Sequence, residues 1–240
     1  MDTRRINSIT LAAGIIMCSL VVLLSGCLLN KEEYNEQKSW VDLMNDTFTD
    51  DHFEYGGPAF NSIGAQSSYC AVIKSEKYPQ EEISVFKDEN GLYTNYYDIL
   101  YKSESEEYFS DYFSGKFKCD GCDVKIFNWQ KETPIRIMSA EEYIKDYVDL
   151  NGVDVIIYRK DGVFPDKNDM KDILINICKE RDEVCNFTLY CCKEKTTREN
   201  VKNTCECYFH VFMGTENSIS HMDCKYKEGK EYDLLWNYSW

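Results

Sequence analysis

Downstream of residue 56 the hydrophobic pattern alternates between the period of a β-strand and that of an α-helix. Short apolar runs rich in β-branched and aromatic residues predict strands at residues 69–74, 83–87, 92–101, 124–129, 153–158, 184–192, 204–213, 219–226 and 232–236. One-sided apolar stripes predict helices at residues 103–113, 139–148 and 170–178. This order indicates an α+β fold, with a mixed and mainly antiparallel sheet and about three helices packed on it.

The first residues have the layout of an export signal. A short basic start precedes about sixteen mostly apolar residues, 9–24, a length typical of a signal-peptide core and short for a membrane span. The run ends in Leu24-Ser25-Gly26-Cys27, which resembles the lipobox of bacterial lipoproteins. The resemblance implies that residues 1–26 are a removed signal peptide and that the Cys27 thiol carries a diacylglyceryl group. It also implies a lipid-anchored protein on the extracytoplasmic face of the cell membrane.

Two other interpretations of the same segment remain open. The apolar run continues through Leu28 and Leu29, so residues 9–29 also have the length to span a thin bilayer as an uncleaved anchor. An ordinary secretory peptidase that cuts after a small residue would instead release a soluble exported protein. The lipoprotein and anchor interpretations both attach the remaining chain to a membrane, outside the cytoplasm.

The remaining chain has two parts. Residues 27–56 are polar and acidic, and they predict a tether with one short helix, because a weak helical stripe runs through Tyr34, Trp40 and Met44. The following Gly56-Gly57-Pro58 is a chain-breaking sequence. We therefore expect a single α+β domain at residues 57–240.

A looser pattern lies at the start of this domain. It consists of Val72-x-x-Ser75-x-Lys77-Tyr78-Pro79, Ile83-x-Val85, Asn95-Tyr96 and Ile99-Leu100-Tyr101-Lys102. The pattern resembles uncharacterised lipoproteins of low-GC Gram-positive bacteria. This resemblance implies a location at the membrane and carries no activity with it.

The net charge of −15 limits the partners. Such a surface repels nucleic acid and anionic lipid, so no nucleic-acid role is predicted and contact with the membrane is expected only through the anchor. The sequence has no phosphate-binding loop, no glycine-rich dinucleotide turn and no nucleophile motif. We therefore predict no cofactor and no catalytic residues, and the sequence does not identify a protein or small-molecule partner.

The cysteines are the remaining chemical resource, and they form two groups. Cys119-Asp120-Gly121-Cys122 has the spacing of a redox motif, but a strand is predicted directly after it, so we interpret it as the tip of a hairpin. Cys191 and Cys192 precede Cys205 and Cys207 on the next predicted strand. Adjacent strand residues point to opposite faces, so 191 and 192 cannot bind one metal without a bulge, whereas 205 and 207 are expected to share a face.

These observations favour a non-enzymatic surface lipoprotein that binds a ligand or partner or is a component of the envelope. Its cysteines are then cross-strand disulfides or small buried thiols. The alternative is an extracytoplasmic thiol–disulfide or metal-handling protein that uses the two cysteine groups.

Replacing Cys27 with Ala should abolish lipid attachment, because no other residue of the tetrad offers a thiol for acylation. Growth with labelled fatty acid, followed by gel analysis of the protein, measures this. The matched control is Cys18→Ala, which removes a thiol from the apolar run and should leave labelling unchanged. A Cys27→Ala protein that still incorporates the label would contradict the lipobox assignment.

Overall fold

The computed structural model describes residues 31–63, 66–127, 133–181, 185–213, 219–226 and 231–237. The predicted signal peptide and Cys27 lie outside these residues. Within the described ranges no helix is both long enough and apolar enough to cross a membrane. Helices and antiparallel sheets are both present, which confirms the α+β class.

The chain forms two compact units that divide between Tyr93 and Thr94, where a single unit was expected over residues 57–240. The elements of the first unit are one helix and four strands. They are α1 (Lys31–Thr47), β1 (Phe53–Ile63), β2 (Gln66–Ser75), β3 (Ile83–Lys87) and β4 (Leu92–Thr94), which ends just across the division. The strands are neighbours in the order β1-β2-β3-β4, and β2 pairs antiparallel with both β1 and β3.

Helix α1 is built into the first unit. Trp40, Val41 and Met44 are at most 5% exposed, whereas Tyr34 at the start of the predicted stripe is 41% exposed. The helix predicted within residues 27–56 is therefore confirmed, and only the later part of its stripe is buried. The fully buried Gln37 side chain donates to the Cys70 carbonyl and accepts from the Tyr55 hydroxyl. Because these polar atoms would be costly to leave unsatisfied, they fix the helix against β1 and β2.

Strand β1 begins before the Gly56-Gly57-Pro58 sequence and runs through it. The antiparallel register with β2 shifts between Tyr55 and Gly57, which is the signature of a β-bulge. The bulge accommodates the glycines, so this sequence bends a strand and does not end one.

The second unit contains the larger sheet. Its elements are α2 (Tyr96–Leu100), α3 (Lys102–Phe117), β5 (Gly121–Ile126), β6 (Thr133–Pro134), α4 (Ala140–Asp146), β7 (Asn151–Tyr158), α5 (Lys167–Arg181), β8 (Cys185–Cys192), α6 (Arg198–Thr204), β9 (Cys205–Met213), β10 (Ile219–Tyr226) and β11 (Glu231–Asn237). The sheet order is β11-β10-β9-β8-β7-β5. Strands β7 and β8 pair in parallel, and the other described pairs of this sheet are antiparallel.

Both faces of this sheet are covered. On one face the ring of Phe113 in α3 lies 5.6 Å from that of Phe187 in β8. Helix α5 lies beside α3, where the Arg181 guanidinium is 5.3 Å from the centre of the Phe109 ring. On the opposite face, Val201 of α6 is buried against Tyr190 and its neighbours. The core therefore has two layers, one on each side of the strands.

One predicted strand is wrong over half of its length. Residues 92–101 form the short strand β4 and then the helix α2, which continues into α3 after Tyr101. The helical turn is favoured because it brings Tyr97 and Tyr101 onto one side, where their rings stack at 5.7 Å. Helix α3 begins at Lys102, after Tyr101, and no side-chain hydrogen bond caps its first turn.

The stacked tyrosines enclose a buried carboxyl group. Tyr143 of α4 stacks on Tyr97 at 5.6 Å, and its hydroxyl donates to Asp98 Oδ1. Asp98 is only 8% exposed. Burial raises the pKa of Asp98 to about 7, although the hydrogen bond from Tyr143 favours the charged form.

Because the folded state binds the Asp98 proton more tightly than the unfolded state, its contribution to stability is complete below about pH 4 and is lost as the pH rises through 7. Replacing Asp98 with Asn keeps an acceptor for Tyr143 and removes the charge. We expect the variant to gain on the order of 4 kcal/mol over the wild type between pH 4 and pH 8. Urea unfolding of both proteins across this range measures the difference. A constant difference would show that Asp98 does not titrate in this window.

Candidate functional site: a charged cleft and two cysteine pairs

The four cysteines of β8 and β9 meet as two pairs. Cys191 lies opposite Cys207, and Cys192 lies opposite Cys205, because β8 and β9 pair antiparallel. The register shifts between Cys191 and Cys192. Glu206 is therefore the extra residue of a β-bulge, in which β9 has one residue more than β8 between the two cysteine pairs.

The bulge separates the two pairs onto opposite faces of the sheet. Cys192 and Cys205 are buried together among Ile156, Tyr158 and Tyr190, on the face covered by α6. Cys191 and Cys207 hydrogen-bond to each other on the other face. The expectation that Cys205 and Cys207 share a face is therefore wrong, because it assumed an unbroken strand.

This separation argues against one four-cysteine metal site. Tetrahedral zinc needs four ligands converging on one point, and here the sheet lies between the two pairs. Within the residues that the structure describes, no group of three or more His, Cys, Asp or Glu side chains is arranged to hold a metal ion.

The two pairs differ in their electrostatics. The hydrogen bond from Cys191 lowers the pKa of the Cys207 thiol below its usual value, despite burial. Burial and the neighbouring Cys205 raise the pKa of Cys192 to about 12. All nine cysteines whose side chains are described are thiols. Of the two pairs, the one with Cys191 and Cys207 therefore supplies the more reactive thiolate, at Cys207.

The Cys119-Asp120-Gly121-Cys122 sequence is not a hairpin tip. It links the end of helix α3 to strand β5, and β5 pairs with β7. The Asp120 carboxylate accepts from the Lys160 amide at 2.8 Å, and a Cβ on Gly121 would come within 3.1 Å of the Tyr158 ring. Burial and the neighbouring Cys119 raise the pKa of Cys122. The intervening Asp and Gly therefore have structural roles, and Cys122 is held as a thiol.

A cleft of about 640 Å³ opens beside this turn. It is lined by the end of α3 and its following residue (Lys116, Phe117, Lys118), by Arg159 directly after β7, by the apolar residues Val163, Phe164 and Pro165, and by α5 with the residue before it (Asp166, Asp169, Asp172, Ile173, Asn176). The cleft therefore lies at the carboxyl end of a strand that pairs in parallel, a common position for ligand sites in sheets with such crossovers.

A tight turn after β7 directs the chain along the cleft. The Gly162 amide donates to the Arg159 carbonyl at 2.9 Å, and Gly162 has a φ of +65°. A Cβ at this position would also come within 2.5 Å of the Lys193 side chain. The flexible end of the Lys193 side chain can move aside, so glycine is favoured here on conformational grounds.

Helix α5 presents two different faces. Met170, Leu174, Ile177 and Cys178 are buried, as their spacing predicted, whereas Ile173 of the same predicted stripe is only half-buried. Asp169, Asp172, Ile173 and Asn176 follow the same i, i+3, i+4, i+7 spacing on another side, which lines the cleft. Asp166 begins the helix by accepting from the amides of Asn168 and Asp169, so its carboxylate is already used as a cap.

The three cations of the cleft are not equivalent. Lys116 pairs with Glu180 at 2.5 Å, and Arg159 pairs with Asp161 at 2.9 Å. Lys118 is exposed and makes no ion pair within the described part of the chain. Its φ of +48° is in the left-handed region. A residue with this conformation directly after a helix is usually glycine.

The residue pattern did not predict this cleft. The only local signal was the second stripe of α5, which is polar and resembles an ordinary solvated helix face. The other walls come from distant segments. No protein family, no curated protein and no solved structure matches the chain. The candidate function therefore rests on the residues themselves.

The register of β8 and β9 predicts which of their cysteines form disulfides. In air-exposed protein we expect Cys191–Cys207 to form first, because the lowered pKa of Cys207 supplies more thiolate, and Cys192–Cys205 to follow. The first bond closes a loop of roughly fifteen residues and should stabilise the fold by about 3 kcal/mol, whereas the second bond is nested inside this loop and should add less, because the first has already restricted the unfolded chain. Differential alkylation with and without reductant, followed by peptide mapping, identifies the pairs. Crossed pairs, such as Cys191–Cys205, would contradict the observed register.

Proposed function

We propose that this protein is a lipid-anchored extracytoplasmic protein whose second unit binds a small ligand in the α3–α5 cleft. The anchor is Cys27, residues 1–26 are the signal peptide, and the residues after Cys27 connect the lipid to the first unit. The Leu24-Ser25-Gly26-Cys27 tetrad at the end of an apolar run supports this part of the proposal. The strongly negative chain supports attachment through lipid in place of direct contact with an anionic membrane.

The observation that carries the binding role is Lys118. A left-handed residue with a side chain costs roughly 1 kcal/mol or more compared with glycine. Lysine occupies this position nevertheless, and it lines a cleft whose other two cations are already paired. Unfavourable backbone conformations persist only where the surrounding structure holds them, and they are concentrated at functional sites.

A thiol–disulfide role is the second candidate, supported by the hydrogen-bonded Cys191 and Cys207. Oxidation would join the two sulfurs and release two protons and two electrons to an external disulfide. Cys207 is only 5% exposed, so this role requires the strand to open. An accessible cleft needs no such opening, which is why ligand binding is the first candidate.

A simple aromatic carboxylate tests the cleft. Hippurate carries one negative charge and an apolar ring, which match Lys118 and Phe164. We expect saturable binding of hippurate to the full-length protein in ligand-observed NMR titrations. Lys118→Gly should weaken this binding about fivefold or more, the typical effect of losing one charged contact.

The same variant controls for unfolding. Glycine is preferred in the left-handed position, so the melting temperature of Lys118→Gly should be equal to or above that of the wild type. Lys118→Arg should retain binding, and so should Lys145→Gln, which removes an exposed lysine outside the cleft. Equal affinity of Lys118→Gly and wild type for hippurate would reject the cleft as the site.

A further inference from the structure

We infer that the α3–α5 cleft takes a short peptide with free ends, its carboxylate at Lys118 and Arg159 and its amino group at Asp169 and Asp172. This inference rests on the proposed ligand-binding function and specifies the class of ligand. It is carried by the charges that line the cleft, which are positive at the ends of α3 and β7 and negative along α5.

One side of the cleft is cationic. Lys116, Lys118 and Arg159 come from the end of α3 and the end of β7, in a protein with a net charge of −15. The ion pair of Arg159 with Asp161 is solvent-exposed, and such pairs contribute little to stability, so the guanidinium can exchange partners. Lys118 makes no ion pair within the described residues, so it can bind a ligand without giving up a partner. This side therefore suits a carboxylate.

The other side is anionic. Asp169 and Asp172 lie one turn apart on α5, and neither carboxylate makes an ion pair or hydrogen bond within the described ranges. Like charges at this spacing on a helix repel each other. A ligand ammonium between them would remove this repulsion, whereas a second anion would increase it. The two sides together therefore select a ligand with both charges.

The space between the two sides is partly apolar. Phe164, Pro165 and Ile173 line it, which gives a side chain of the ligand an apolar surface. A volume of about 640 Å³ lies within the range of small-molecule sites, roughly 300–1,000 Å³, and is too small for a folded partner. A peptide of a few residues has the required size, the two terminal charges and an apolar side chain.

Three forms of one peptide test this assignment. The probes are Ala-Phe-Ala with free ends, the same peptide with an acetylated amino end, and the same peptide with an amidated carboxyl end. Calorimetric titration of the full-length protein should show the free peptide binding at least tenfold more tightly than either capped form. The loss of one charge-paired end accounts for a difference of this size.

The variants assign each end of the peptide to one side. In the double variant Lys118→Gly, Arg159→Gln the free and amidated peptides should bind equally, while acetylation still weakens binding. In the double variant Asp169→Asn, Asp172→Asn the free and acetylated peptides should bind equally, while amidation still weakens binding. Lys145→Gln and Asp146→Asn are matched controls outside the cleft and should keep all three affinities within twofold of wild type.

The possible failures are distinguishable. Equal affinity of the three peptides, or no peptide binding while hippurate still saturates the cleft, overturns the peptide assignment and leaves the binding site in place. Acetylated and free peptides of equal affinity in the wild type would show an anion site only, which also overturns it. If neither hippurate nor any peptide binds, the proposed function itself is rejected.

Discussion

The parallel pairing of β7 with β8 determines the architecture of the second unit. Parallel neighbours cannot be joined by a tight turn, so the chain must leave the carboxyl end of β7, cross the sheet and return. Helix α5 makes this crossing. One face of the helix must be buried to hold it there, and the face that remains lines the cleft. The position of the candidate site is therefore a consequence of the topology.

The bulge at Glu206 has a comparable effect on the cysteines. A regular ladder would place Cys205 and Cys207 on one face, and the bulge reverses the direction of one of them. Four thiols close in sequence are thereby divided into two environments with different pKa values. The order of the residues alone suggests one cluster, whereas the backbone makes two.

Elements whose pattern contrasts apolar with polar positions were predictable from the sequence. The stripe at residues 170–178 identified α5 and its buried face, and the strand limits at 83–87 and 219–226 agree with those of β3 and β10. Residues 92–101 lack this contrast. The local stacking of Tyr97 on Tyr101 is joined in the folded chain by stacking of Tyr97 on Tyr143, a ring that is distant in sequence. Local pattern contains no information about such a contact.

The candidate site was predictable only in part. Opposition of the cysteine strands followed from antiparallel pairing, whereas the face of Cys205 depended on a bulge beside the helix α6, which the sequence does not mark. The cleft depends on three segments that meet only after folding. The strain at Lys118 is likewise visible only in the backbone angles.

The early start of helix α1 has a consequence for how such a protein would be held. The helix begins at Lys31, and Gln37 already anchors it to the sheet. A fully extended chain covers at most about 3.6 Å per residue, so four residues reach roughly 14 Å. A lipid on Cys27 would thus hold the first unit close to the headgroups. The first unit could then move only a short distance from the lipid. Glu33 and Glu36, near the start of α1, would lie within a Debye length or two of the membrane charge.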